Sequence, residues 1–599
     1  MTAIDESDLT AADVAWDLEP LAGGEGEMGA LALLDRAAEL ATEMEAWRGR
    51  VAEMDVADLE AFMRTSADLA EAVGRASSYA GLRFSIDTAD PPRGALLART
   101  EERATSISTR LVFFELEWAA LPDERVDELL ADDRLDFCRH HLRSARRYRP
   151  HLLTEPEEII LGEKAVTGRS AWTRLFDELT SAVRVRVGDG EVGLEQGLAL
   201  LASPDRDTRR GAAEAVTAGL APGLRTRAFV FNTLLADKST DDRLRRYPTW
   251  LASMNLANEA SDASVDALVD AVQRRYDIPQ RWYSLKARLL GLPRLADFDR
   301  MAPLTDDEPR FAWSEGRELV LDAYESFAPE LADGARRFFD EGWIDAPVRP
   351  AKRPGAFCAY TVPSQHPYLL LNWTGRRRDV LTLAHEMGHG LHAYLARGQG
   401  VFHQTTPLTL AETASVFGET VTFGRLLQAT SDPSERLSLL AESLEGQIAT
   451  VFRQVAMNRF EDAVHTTRRE EGELSTDRFG ELWRSTQEAM LGDAVELTDG
   501  YLTWWSYIPH FIGTPGYVYA YAYGQLLALS VYGAYEREGA EFVPRYLDML
   551  RAGGSRSPED LGRIVGVDLA DPAFWDGGLD IIAGQLAAAE EAATAAGRT

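Results

Sequence analysis

A chain of 599 residues with 45% hydrophobic and 27% charged content can bury a large core and has the balance of an ordinary folded protein, which excludes disorder as its general state. Its 96 acidic against 63 basic residues leave a net charge of −33, so most of the surface repels phosphate backbones and anionic lipid heads, and nucleic acid is excluded as a partner. Two cysteines, Cys138 and Cys358, are too few and too far apart for a disulfide framework or a cysteine metal site, and both are expected to be reduced and buried.

The first twenty residues, MTAIDESDLTAADVAWDLEP, are acidic and lack a basic region followed by an apolar one, so they do not read as a secretory signal. No run of about 18 apolar residues occurs that could span a membrane, and a cytoplasmic protein is expected. From 27 to 180, apolar residues recur at three- and four-residue spacings, as in ALALLDRAAELATEMEAWRGRVAEM, and predict successive amphipathic helices. The basic run CRHHLRSARRYRPHLL (138–153) reads as a solvated helical face whose arginines pair with neighbouring acids. VRVRVGDGEVGL (183–194) alternates and turns at Gly188-Asp189-Gly190, which predicts a short hairpin. A boundary falls there, separating an N-terminal helical domain, 1–185, from the remainder, 186–599.

Helical spacing resumes through SPDRDTRRGAAEAVTAGLA and SDASVDALVDAVQRRY, the second capped by Ser261 or Asp262. GAFCAYTVPSQHPYLLLNW (355–373) gives two short β-like runs broken at Pro363-Ser364-Gln365. An extended peptide could pair with the edge of such a sheet, and a purely structural sheet fits the sequence equally. His366 within it is expected to be structural or to face a substrate, and is not taken as a metal ligand. The alanine-rich stretch near 585–597 predicts a terminal helix.

LAHEMGHGLH (383–392) gathers three of the chain's ten histidines. His385 and His389, four apart, project from one face of a helix and can converge on a single ion, while Glu386 is placed to contact water on that ion. The competing reading is a buried helix whose histidines merely hydrogen-bond to neighbours. Gly388 and Gly390 each weaken a helix by roughly 1 kcal/mol relative to alanine, so their presence predicts close packing or substrate access. His392 lies about 10 Å along the axis from His385 and is expected to be structural or to support a ligand. A catalytic zinc needs a third protein ligand. In LTLAETASVFGETVTFGRLL (408–427), Glu412 and Glu419 sit seven apart on one face, and either qualifies.

Three segments, TLAHEMGHGLH (382–392), LAETASVFGE (410–419) and PGYVYAYAYGQLLALSVYG (515–533), resemble the M3 family of zinc metallopeptidases, in its oligoendopeptidase F-like branch. Weaker matches at WDLEPL (16–21), LLASPDRDTRRGAAEA (200–215) and KRPGAFCAY to NWTG (352–375) extend the resemblance over nearly the whole chain. It implies one zinc ion per chain held by His385, His389 and Glu412, with Glu386 as general base and Glu419 orienting a ligand histidine. It also implies that His510, in SYIPHFIGTPGY, faces the metal with Tyr517 and Tyr521, Tyr519 being held in reserve. Periodicity alone would read the alternate tyrosines of 517–521 as a strand. The fold implied is mainly α and two-lobed, with a deep substrate channel and a small β-sheet near the HExxH helix; 186–599 becomes the catalytic domain. The function implied is cleavage of internal bonds in short peptides. A zinc exopeptidase and a non-catalytic, zinc-stabilised peptide-binding scaffold are the alternatives. Glu386 argues against the scaffold, since a structural zinc site needs no base.

Overall fold

The structure is a computed structural model, and it describes residues 6–304 and 310–598. Helices make up most of it and strands are few and short, so the class is mainly α as expected. No described helix is long and apolar enough to cross a membrane. The chain forms two compact units, each built from three separate segments. Met1–Arg149, Glu308–Leu426 and Ala534–Asp568 make the first; Pro150–Asp307, Leu427–Gly533 and Leu569–Thr599 make the second.

In the first unit the helices Gly26–Met44 and Val56–Ser85 pack together, burying Leu34, Ala37, Leu40 and Ala41 of one and Leu59, Phe62, Leu69 and Ala72 of the other. These residues recur at the three- and four-residue spacing that makes one apolar stripe. The second helix starts where Asp55 accepts the Asp58 N–H and Asp58 returns a bond to the Asp55 N–H, so two otherwise unpaired donors are satisfied. The basic run forms the helix Arg139–Arg146 and the turn after it. Arg146 and Arg149 share Asp123 and Arg139 takes Asp136, the ion-paired face read from sequence.

The strands, numbered along the chain, are β1 (Arg184–Val187), β2 (Gly190–Gly193), β3 (Leu295–Ala296), β4 (Ile344–Pro347), β5 (Phe357–Ala359), β6 (Tyr368–Trp373) and β7 (Val495–Glu496). In the first unit β4, β6 and β5 form one sheet in that order, β6 running parallel to β4 and antiparallel to β5, with Cys358 opposite Leu369. The central strand, YLLLNW, is buried along nearly all its length, which is why it reads as a continuous apolar run. Four residues later the chain enters the HExxH helix, Arg377–Ala396, whose start is fixed by Asp379 accepting the N–H groups of Thr374 and Arg376. The helix packs on β5 and β6, so the expected small sheet beside it is present.

In the second unit β1 and β2 pair across the two-residue turn Gly188-Asp189, as the alternation predicts. Ser261 caps the helix Asp262–Arg274 by accepting the Ser264 N–H. An aromatic core of Phe231, Phe460, Phe479, Trp483, Trp505 and Phe511 fills this unit. The alanine-rich stretch belongs to a longer helix, Pro572–Ala595, anchored by Trp575, Leu579, Ile582 and Leu586.

Candidate active site

His385 and His389 lie one turn apart on the HExxH helix, and Glu412 is offered to them by the next helix, Leu408–Ala429. Glu412 Oε2 is 3.3 Å from His385 Nε2 and 3.6 Å from His389 Nε2. One ligand atom from each of the three residues lies within 4.8 Å of the others. Glycine makes this approach possible. A Cβ at Gly388 would stand 2.3 Å from the Ala414 carbonyl oxygen and 2.6 Å from Ser415 Cα, so only a hydrogen lets the two helices touch backbone to backbone. A Cβ at Gly390 would be 2.6 Å from the Phe338 ring. Both glycines therefore serve close packing. The buried Tyr324 hydroxyl donates to the Ala384 carbonyl at 2.9 Å and ties down the same turn of helix.

Glu419, one face-repeat after Glu412, meets the other nitrogen of His385: its Oε2 is 3.1 Å from Nδ1. That bond leaves Nε2 directed at Glu412. Ser415 Oγ donates to Glu412 Oε2 at 2.7 Å and fixes its carboxylate. Charges follow from these contacts. Burial favours a neutral His385, but the carboxylates of Glu412 and Glu419 outweigh it and carry the ring well above the usual histidine range. Burial also works against an ionised Glu412, yet His385, His389 and Ser415 hold it down to about 2. His389, with burial dominant, is lowered to about 4. The trio thus pairs one carboxylate with imidazole nitrogen, the donor set a dication takes.

Glu386 is 7% exposed and faces the edge strand β5, where the Cys358 backbone hydrogen-bonds to it. Burial pushes its carboxyl up to about 7, with Glu412 adding and His385 opposing. A carboxyl with that poise can take up and return a proton at neutral pH. His392 is buried and lowered to about 3, by burial first and His389 second, which makes it an interior residue of the helix. His366 stacks on Trp343 at 4.1 Å and bonds the Pro367 carbonyl through Nδ1, a packing role. Cys138 is fully buried as expected, whereas Cys358 is only half-buried.

His510, Tyr517 and Tyr521 come together in the second unit. His510 Nε2 is 3.2 Å from the Tyr521 hydroxyl, the His510 and Tyr517 rings lie nearly parallel with centroids 6.2 Å apart, and the two tyrosines meet edge to face at 5.0 Å. All three are partly exposed. Tyr519 is fully buried, its hydroxyl accepting from Asn258 Nδ2 at 3.0 Å, so it belongs to the core. The segment is no strand: a turn carries Tyr517, and Tyr519 opens the helix Tyr519–Glu538.

Two contacts escaped the sequence reading. Ser415 stands one turn after Glu412, where a side-chain bond back is geometrically natural, and the AETAS spacing was the available signal. Tyr360, just after β5, places its ring 6.4 Å from that of His389, and its hydroxyl is held protonated by burial, with Glu412 and Glu386 adding. It lies within the KRPGAFCAY stretch.

Comparison with known proteins gives consistent matches. The sequence model described as peptidase family M3 matches residues 199–581, and one described as oligopeptidase F matches 117–184. Oligopeptidase PepF of Bacillus subtilis is 27% identical over 550 residues, covering 89% of this chain and 81% of its own. Group B oligopeptidase PepB of Streptococcus agalactiae is 26% identical, covering 85% and 86%. Among solved structures, a chain from Chlamydophila abortus superposes with a TM-score of 0.86 at 22% identity, covering 99% of both chains. Oligoendopeptidase-F from Enterococcus faecium gives a TM-score of 0.69 at 23% identity, covering 93% and 98%. These two structural likenesses bear on the fold.

Proposed function

The chain belongs to peptidase family M3, and from that membership we propose that it is a zinc-dependent endopeptidase cleaving internal bonds of short peptides. His385, His389 and Glu412 hold one zinc ion in this reading, and Glu386 is the general base. The observation that carries it is the convergence of three donor atoms beside a buried carboxyl poised near neutrality.

The residues fit zinc. Tetrahedral zinc with bonds of about 2.0–2.2 Å spaces its ligand atoms roughly 3.4 Å apart, and the two Nε2–Oε2 separations are 3.3 and 3.6 Å. Two imidazole nitrogens and a carboxylate oxygen are the ligand types of hydrolytic zinc centres. When bound, the ion acts as a Lewis acid that polarises the scissile carbonyl and acidifies water. Glu386 Oε takes the proton of the attacking water and delivers it to the departing amine nitrogen. Glu419 holds the His385 Nδ1 proton, and Ser415 orients Glu412. His510, Tyr517 and Tyr521 are assigned as donors to the developing oxyanion, each worth about 3 kcal/mol of barrier. The edge strand β5 offers main-chain pairing to an extended peptide, so that affinity depends little on its side chains.

The names of the bacterial relatives, oligopeptidase PepF and oligopeptidase PepB, support short peptides as substrates. The division at 185/186 is supported by family matches that end at 184 and resume at 199, on either side of most of the hairpin. Replacing Glu386 with glutamine tests the mechanism. Turnover of an internally quenched peptide should fall about 10³-fold while elemental analysis still finds one zinc per chain. An unchanged rate would remove Glu386 from the chemistry. An end-blocked peptide analysed by mass spectrometry separates endo- from exopeptidase action, and absence of any metal-dependent cleavage would favour the scaffold.

A further inference from the structure

Glu461 lies in the helix Arg453–Glu471 of the second unit and is fully buried. Its Oε1 accepts the backbone N–H of Gly516 at 2.9 Å, and its Oε2 has no protein partner. No cation is paired with it among the described residues. A carboxylate there would be both unsolvated and unpaired, so the neutral acid is favoured. Burial pushes the group up to about 8, with the Gly516 bond opposing. Gly516 has φ of +82°, the left-handed region, and a Cβ added to it would meet Leu251 Cδ1 at 2.7 Å and Met254 and Trp250 at 3.4 Å. The turn is therefore clamped between Glu461 on one side and the Trp250–Met254 segment on the other. The next residue is Tyr517. Beyond it, Tyr519 is pinned in the core by Asn258, while Tyr517 and Tyr521 stay partly exposed against His510.

We propose that Glu461 is a positioning residue: by holding the Gly516 N–H it fixes the left-handed turn from which Tyr517 and Tyr521 are presented. Its catalytic consequence rests on the role assigned above to those tyrosines. Other titratable groups nearby are engaged elsewhere. Asp462 takes Arg459 and the Trp250 indole N–H; His465 stacks on Trp250 at 4.4 Å with Lys238 and Arg469 acting on it; His510 meets Tyr521. Burial and the Gly516 bond are the causes acting on Glu461 itself.

Four forms of the full-length, zinc-loaded protein test this: wild type, Glu461→Leu, Glu461→Asp and Glu461→Gln. Glu461→Leu removes the acceptor; kcat for an internally quenched peptide should fall at least tenfold with KM within about twofold, and amide exchange of peptides covering 514–521 should quicken. Glu461→Gln keeps an acceptor and should restore both readouts. Glu461→Asp, one methylene shorter, keeps the acid but withdraws the acceptor from the Gly516 N–H, and should lower kcat and quicken exchange as the leucine variant does. It decides the matter even where the leucine variant does not fold. Native exchange at 514–521 in Glu461→Leu or Glu461→Asp, or a glutamine variant no better than leucine, overturns the proposal. Tyr517→Phe and Tyr521→Phe retaining full kcat would instead sink the tyrosines' catalytic role, and the exchange readout would still judge the clamp.

Discussion

Glu412 and Glu419 carry the same side chain on the same helix face, and spacing alone left them interchangeable. The structure parts them by reach: Glu412 Oε2 lies against both Nε2 atoms, while Glu419 engages His385 Nδ1. Which nitrogen a carboxylate meets depends on the distance between two helices, and no sequence period encodes that. The spacing of His385, Glu386 and His389 was legible because the helical period fixes it. Removing a carboxylate behind a ligand histidine typically weakens metal binding 10–100-fold. Glu419→Ala should therefore show that loss in a chelator competition, with kcat at saturating zinc changed far less. Loss of turnover at full zinc occupancy would instead give Glu419 a part in the chemistry.

Between elements, the contact that decides the site is the one at Gly388. An alanine methyl there would be driven into the Ala414 carbonyl and Ser415 Cα, both backbone atoms that cannot swing aside. Gly388→Ala should lower stability by about 1–3 kcal/mol, seen in a thermal melt followed by circular dichroism. It should also loosen zinc, because the same helix separation sets the reach of Glu412. A variant as stable as wild type would show that the helices can part without consequence. Most elements were readable from period: the hairpin, the helix capped by Ser261, and the pair β5 and β6. β4 was not, since IDAP is short, ends in proline and has no alternation to read. The tyrosine segment misled for a reason of geometry. A strand would set tyrosines at every second position on one face, whereas on a helical path residues four apart share a side and the one between faces away. Tyr519 is buried and Tyr517 and Tyr521 are partly exposed on just this pattern.

For the molecule as a whole, buried groups pull stability in both directions with pH: Glu386 and Glu461 favour the protonated state, and two buried imidazoles resist it. His392 and His465 are both buried and held neutral, His392 lowered to about 3 and His465 well below the usual histidine range, with burial the first cause for each. Below pH 6.5 the unfolded chain binds protons that these folded rings refuse. The contribution of these two rings is therefore full above that pH and is lost as pH drops toward the folded values. By pH 5, His392 alone should account for about 2 kcal/mol. Urea midpoints at pH 7 and pH 5, compared between wild type and His392→Leu, isolate this share: the change toward pH 5 should be less favourable in the wild type, and an equal change in the two would clear His392. The division into units was hidden from the sequence because it does not follow chain order: residues 534–568 share a unit with the first 149 and with 308–426. Synthesis has to reckon with that interleaving. The ribosome releases the chain from its beginning at roughly 5–20 residues per second, so the first unit stays incomplete for on the order of half a minute after its opening segment emerges, and the HExxH helix waits for the helix Val543–Ala552 that packs on it. Nascent chains of this protein should accordingly sit on holding chaperones until almost the final codon, and a message truncated before position 534 should yield aggregate in place of a smaller folded half.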